Sequence, residues 1–272
     1  MNSSKKIAVV TGANRGIGFE LCRQLAKKSF KVILTARDPA KGEVAAKKLS
    51  AEGLDVGFQC LDVTSEESIQ RFVSGMNQMG RLDVLINNAG MSMRALFEDV
   101  DLSVIRNLMD INFWGAVYCT KYALPSIIKS KGVVVGVSSI AGYRGLPGRT
   151  GYSASKFAMQ GFLESLRTEM LHTGVHVMWV SPGFVASNIR NVALSSDGTA
   201  QAETPLDESK LMSAEECALI IINGIEKRKR SVVMTTQGKL TVLINKLFPS
   251  LADKLVYNHF LNEPDSPLKK YE

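Results

Sequence analysis

A serine, a tyrosine and a lysine, Ser139, Tyr152 and Lys156, stand in the stretch SIAGYRGLPGRTGYSASK, thirteen and then four residues apart. Residues at i and i+4 share one helix face, so the Lys156 ammonium can sit close enough to the Tyr152 phenol to favour its phenolate. Lowering a tyrosine pKa from about 10 toward neutrality takes roughly 4 kcal/mol, more than one lysine is expected to supply. A bound cationic ring beside the phenol would supply the rest. The spacing therefore predicts acid/base chemistry at an oxygen, next to a cofactor.

A cofactor loop is present near the start, where TGANRGIG follows the apolar run IAVV and places Gly12, Gly16 and Gly18 at the opening of a helix. Glycines let a backbone approach a pyrophosphate, and a helix N-terminus offers free N–H groups and the positive end of its dipole. The spacing G-x-x-x-G-x-G differs from the commoner G-x-G-x-x-G, but strand before and helix after are the required context. The next strand ends in Thr35-Ala36-Arg37-Asp38. A carboxylate there would hold a ribose 2′-hydroxyl. Ala36 cannot, whereas Arg15 and Arg37 can converge on a 2′-phosphate with charge-assisted hydrogen bonds of about 1.5–3 kcal/mol each. NADP is expected over NAD, with Asp38 as the competing ribose ligand.

The elements that must position these groups are legible as an alternation. Apolar runs KIAVVT, KVILTA, DVGFQCL, DVLINN, GVVVGVSS, GVHVMWVS and SVVMT are separated by helical spacing over residues 17–28, 40–52, 66–79, 102–129, 155–171 and 214–227. The pattern predicts one doubly wound α/β (Rossmann) domain over 1–272 with a mostly parallel seven-stranded sheet. Residues 184–212 are polar and long enough for a substrate loop. Residues 238–272 form a C-terminal helical extension, amphipathic over 240–261 with Pro249 inside it and a polar tail from Asn262. Its stripe is expected to pack on protein, with peripheral membrane contact as the alternative.

Composition excludes several classes. Cys22, Cys60, Cys119 and Cys217 are scattered without a C-x-x-C pair, so four reduced thiols and no thiolate metal site are expected. His172, His176 and His259 do not support a catalytic triad or a metal site, and no metal is expected. A net charge of +7 comes without zinc spacing or an aromatic-rich RNA signature, and the basic run from Lys227 to Arg230 suits a solvated helix end. The apolar run at the start is too short for a signal peptide and no later run spans a membrane, so cytoplasmic residence is expected. Gly136-Val137-Ser138 begins like a hydrolase elbow, but Ile140 stands where glycine is needed. Ser153 to Lys156 spells S-x-x-K without its S-D-N and K-T-G partners.

With these pieces in place the chain resembles the short-chain dehydrogenase/reductase family. The motifs that carry the resemblance are TGANRGIG, Asp62-Val63 after the third strand, NNAG from Asn87 to Gly90, Asn112, Ser139, YSASK and PGFVAS from Pro182. The resemblance implies that the loop of Gly12, Asn14, Arg15, Gly16, Ile17 and Gly18 binds the cofactor and that Asp62 and Val63 hold its adenine. Asn88, Ala89 and Gly90 would shape the wall beside the adenosine. Asn112 would kink its helix and hold a water in a proton relay to Lys156. Ser139 would bond the substrate oxygen, Tyr152 would be the general acid/base, and Lys156 would bind the nicotinamide ribose while depressing the tyrosine pKa. Pro182, Gly183 and Val185 would pass the nicotinamide, with the Val185 backbone and the Ser187 side chain on its carboxamide. The implied activity is NADP(H)-linked interconversion of a carbonyl and a secondary alcohol, in a homodimer or homotetramer. An NADP-binding sensor or scaffold without turnover is the alternative.

Local likenesses are loose: GANRGIGFELCRQL is similar to carbonyl reductases, and RKRSVVMTTQGKL to the branch around 11β-hydroxysteroid dehydrogenase. Met93, Leu96, Phe97, Tyr143, Leu146 and Phe184 are expected as apolar substrate walls, favouring an apolar ketone or alcohol. Arg94 and Arg144 are expected in solvent, with a substrate carboxylate or phosphate as their alternative partner.

Overall fold

The structure is a computed structural model and describes residues 5–77, 80–185, 189, 192–201 and 211–272. Its strands are β1 (Ile7–Val10), β2 (Lys31–Ala36), β3 (Val56–Cys60), β4 (Val84–Asn87), β5 (Val133–Val137), β6 (His176–Ser181) and β7 (Ser231–Val233). They form a seven-stranded sheet in the order β3-β2-β1-β4-β5-β6-β7. Every pairing is parallel, so the sheet is more uniform than the mostly parallel one expected. β1, β4 and β6 are buried along their whole length, which is why they read as unbroken apolar runs rather than as alternation.

The crossovers are α1 (Gly16–Lys27), α2 (Pro39–Ala51), α3 (Glu66–Asn77), α4 (Leu102–Met109), α5 (Gly115–Ser130), α6 (Thr150–Glu169) and α7 (Ala214–Glu226). Side chains of one strand alternate between two cores. Val10 packs with Leu21 of α1, Leu49 of α2 and Ile221 of α7, whereas Val9 packs with Ile69 of α3, Ile127 of α5 and Leu163 of α6. The strand order reverses between β1 and β4, so the loops leaving these strands diverge and open a crevice at their carboxyl ends.

Three elements differ from their expected bounds. The helix anticipated over 102–129 is α4, then a π-helical turn over Asp110–Trp114, then α5. α6 begins at Thr150, so Tyr152 lies inside its first turn. The C-terminal stripe is two helices, α8 (Thr236–Leu247) and α9 (Pro249–Leu261). Pro249 sits at the first position of α9, where a missing N–H costs nothing.

The tail from Asn262 is not a solvated end. It closes in a 3-10 turn over Pro267–Tyr271, with Glu263, Ser266 and Leu268 buried. α8 and α9 keep Leu240, Leu243, Leu247, Phe248 and Leu251 exposed. Among the described residues no helix is long and apolar enough to cross a membrane. Cys22, Cys119 and Cys217 are buried free thiols and Cys60 an exposed one.

Candidate active site

Two cavities open where the strand order reverses, a cleft of about 420 Å³ and a chamber of about 490 Å³, and both are lined by Ser139, Tyr152, Pro182, Gly183 and Ile189.

The cleft is built from the loops after β1, β2, β3 and β4. Gly12 has a φ of +61°, and a Cβ placed there would stand 2.8 Å from the Ala89 Cα, so only glycine fits. Thr11 laces the two central loops together: its hydroxyl accepts from the N–H groups of Asn88 and Ala89 at 2.9 and 3.0 Å. The Asn88 amide returns the link by donating to the carbonyls of Thr11 and Gly12 at 2.8 and 3.1 Å. Thr11 escaped sequence reasoning, although its place directly before Gly12 was a signal. Asn14, Arg15, Gly16, Ile17, Gly18, Asn88, Ala89 and Gly90 all line the cleft. No side chain caps the N-terminus of α1, leaving its first N–H groups available to an anion.

At the end of β2, Ala36 and Arg37 line the cleft. Asp38 is engaged elsewhere: its carboxylate caps α2 by accepting from the Lys41 N–H at 3.1 Å and pairs with the Lys41 ammonium at 3.2 Å. Those contacts hold its pKa below the usual carboxylate value. Asp62 and Val63 also line the cleft, and Asp62 Oδ1 accepts from the Thr64 N–H and hydroxyl at 2.9 and 2.7 Å. The glycine cradle and the uncapped helix end fit the pyrophosphate of a dinucleotide, and Arg15 and Arg37 line the same cleft.

Asn112 sits in the π-helical turn and is fully buried. Its Oδ1 accepts from the Met91 N–H at 2.8 Å, and its Nδ2 donates to the Met91 carbonyl and the Ser155 hydroxyl, each at 2.9 Å. The Lys156 ammonium donates to the Val137 carbonyl at 2.9 Å and lies 5.6 Å from the centre of the Tyr152 ring. Burial lowers the Lys156 pKa to about 8. A Cβ at Gly90 would fall 3.0 Å from Asn112 Oδ1 and 3.5 Å from Lys156 Nζ, so these two polar groups flank one point of backbone.

Ser139 begins a 3-10 turn over Ile140–Gly142, its hydroxyl accepting from the Ala141 N–H at 3.1 Å. Burial raises the Tyr152 pKa, while the Ser139 hydroxyl and the charge of Arg149 pull it down. Arg149, three residues before Tyr152, is thus a second cation near the phenol besides Lys156. Arg149 was not singled out from the sequence.

The chamber lies beyond the phenol. Leu146 and Phe184 line it as expected, and Leu255, Val256 and Phe260 of α9 add apolar wall together with Ile140, Leu211 and Met212. Met93 and Leu96 are instead buried in core clusters and Phe97 is exposed. Tyr143 accepts from the Trp179 indole at 2.8 Å. Arg94 and Arg144 are not solvated. Arg144 donates to Asn245 at 3.0 Å and pairs with Asp253 at 2.5 Å; Arg94 donates to the Pro264 carbonyl at 2.6 Å and lies 3.7 Å from Glu263. Pro182, Gly183 and Val185 line the cleft, and Ser187 lies outside the described residues.

A family model described as short chain dehydrogenase matches residues 6–197. The chain is 34% identical over 275 residues to "11-beta-hydroxysteroid dehydrogenase A" of Arachis hypogaea, covering 98% of this chain and 78% of that one. Among solved structures it is similar to a metagenomic short-chain oxidoreductase in complex with NADP, at 25% identity and a TM-score of 0.69, covering 84% and 96% of the two chains. A short chain dehydrogenase/reductase from Burkholderia phymatum in complex with NAD shares the fold, at 19% identity and a TM-score of 0.81, covering 92% and 96%.

Proposed function

The chain belongs to the short-chain dehydrogenase family, and on that premise we propose that it is an NADP(H)-dependent oxidoreductase interconverting a carbonyl and a secondary alcohol on an apolar substrate. The observation that carries the reading is the shared wall: a dinucleotide-sized cleft and an apolar chamber meet at Ser139 and Tyr152. When bound, the nicotinamide supplies or accepts the hydride.

The chain's own residues do the rest. Ser139 donates to the carbonyl oxygen and Tyr152 delivers its proton as negative charge develops there, which is where oriented donors lower a barrier most. Lys156, its ammonium buried beside the phenol, orients the ribose and favours the ionised tyrosine in the reverse direction. Asn112 fixes the Met91 backbone and the hydroxyl of Ser155, the residue before Lys156. Arg15 and Arg37 take a 2′-phosphate, a preference supported by the engagement of Asp38 in capping α2. The complete set of acid, support and binding residues speaks against a sensor that binds NADP without turnover.

One experiment tests both halves. On a panel of apolar ketones, NADPH is expected to exceed NADH as donor, and Arg37→Ala is expected to raise KM for NADPH roughly ten- to hundredfold while sparing NADH. Tyr152→Phe is expected to abolish reduction and leave NADPH affinity within about twofold by titration, since the lost hydroxyl lies outside the phosphate-binding contacts. Equal use of both cofactors by the wild type would remove the 2′-phosphate argument. Turnover in the phenylalanine variant would remove Tyr152 from the chemistry.

A further inference from the structure

The chamber contains a charge cluster that sequence motifs do not announce. Arg149 lines it, at the cap position of α6 and three residues before Tyr152, a spacing that puts the two side chains on one face of the helix. Its guanidinium donates to both oxygens of Glu263, at 3.3 and 3.2 Å, and to the Pro147 carbonyl at 3.2 Å, and it lies 4.5 Å from the centre of the Phe260 ring. Glu263 comes from the C-terminal tail, and Arg94 stands on its other side at 3.7 Å. The side chains of Arg94, Arg149 and Glu263 are 12%, 13% and 4% exposed.

Two guanidiniums share one carboxylate here, so the cluster keeps one positive charge in a poorly hydrated place. Such a charge, held by side chains that are 13% exposed or less, favours an anion within reach. The groups around Tyr152 narrow down what that anion is. From α4 and the segment after β4, Met93, Val104 and Leu108 cluster with its ring and carry no charge. The segment after β5 brings the neutral Ser139 hydroxyl, α6 brings Lys156 under the ring, and α9 brings His259 to the far wall of the chamber. The anion that forms in this setting during the proposed reaction is the Tyr152 phenolate.

We propose that Arg149, braced by Glu263 from the C-terminal tail, is a positioning residue for the reaction, its charge supporting the phenolate form of Tyr152. This rests on the oxidoreductase reading above. It makes the tail part of the catalytic electrostatics, through an ion pair that spans 114 residues of sequence. The influence of Arg149 on the tyrosine pKa has the required sign.

The test is the pH dependence of kcat/KM for NADPH-driven reduction of an uncharged ketone. Reduction needs protonated Tyr152, so its rate falls on the alkaline side as the phenol ionises. Arg149→Met is expected to move that limb up by roughly one pH unit, the shift expected of one lost neighbouring charge. Arg149→Lys should restore it, and Glu263→Gln, which unmasks the guanidinium, should move it down. NADPH affinity should stay unchanged in all three, because the cleft does not include these residues. If Arg149→Met proves too unstable to purify, the downward shift in Glu263→Gln carries the test, with the Arg149→Met, Glu263→Gln double variant as its control, expected to lose that downward shift. A limb that stays in place while rates fall would reduce Arg149 to a structural role and overturn the proposal. So would a loss confined to KM for carboxylate-bearing ketones, which would make Arg149 a substrate contact. A wild type that reduces no ketone would defeat the oxidoreductase reading itself, a result distinct from an active wild type with an immobile limb.

Discussion

Single side chains in this protein differ in how far their partners lie along the chain, and that decides what each can reveal. Tyr152 and Lys156 are four residues apart on α6, so helical spacing alone joins them. Asn112 needs the fold to explain it: its amide is spent on Met91 and Ser155, contacts that a sequence motif marks but does not specify. His176 carries a different consequence. It is buried at the start of β6 with Nε2 3.1 Å from the Lys229 carbonyl, and burial together with Arg228 and Arg167 pushes its pKa down to about 4. The unfolded chain protonates this residue near pH 6.5. The folded protein resists protonation, so its contribution to stability is complete above about pH 6.5 and lost as pH falls toward 4. The thermal midpoint is expected to drop through that window, and the drop in His176→Gln, measured by calorimetry in the same buffers, is expected to be smaller.

Elements show which signals are local and which belong to packing. The seven strands were legible because each is a short apolar run bounded by turn residues. The π-helical turn between α4 and α5 was not legible from periodicity, since one extra residue per turn barely alters an apolar period; only the kink that the family resemblance implies at Asn112 pointed to it. The start of α6 was misplaced by five residues because GLPGRTG reads as loop, although Thr150 already belongs to the helix. The split of α8 from α9 was signalled by Pro249, but the roof they place over the chamber was not. That roof has a narrow tolerance at Gly238, where an added Cβ would stand 2.7 Å from Ile140 Cδ1 and 3.0 Å from the Thr235 hydroxyl. Gly238→Val is expected to push α8 off the turn that follows Ser139. Steady-state kinetics should then show KM for the carbonyl substrate raised several-fold, with KM for NADPH nearly constant, because α8 lines the chamber and not the cleft.

At the scale of the whole molecule, the parallel sheet delivers the loops after β1, β4, β5 and β6 to one edge, and the C-terminal extension closes the site from above. The first half of that design follows from alternating strand and helix signals. The second depends on Glu263 reaching Arg149 and on α9 supplying apolar walls, pairings between distant segments that no periodicity encodes. The shared wall of the two cavities has a stereochemical consequence. A ketone carbon is flat and has two faces, and under the proposed reaction Ser139 and Tyr152 would hold its oxygen while the cleft addresses it from one side and the chamber sorts its two substituents by size. The alcohol formed from an unsymmetrical ketone is therefore expected as one enantiomer, which chiral chromatography of the product would read directly. A racemic product would mean that the chamber does not fix the orientation of the ketone.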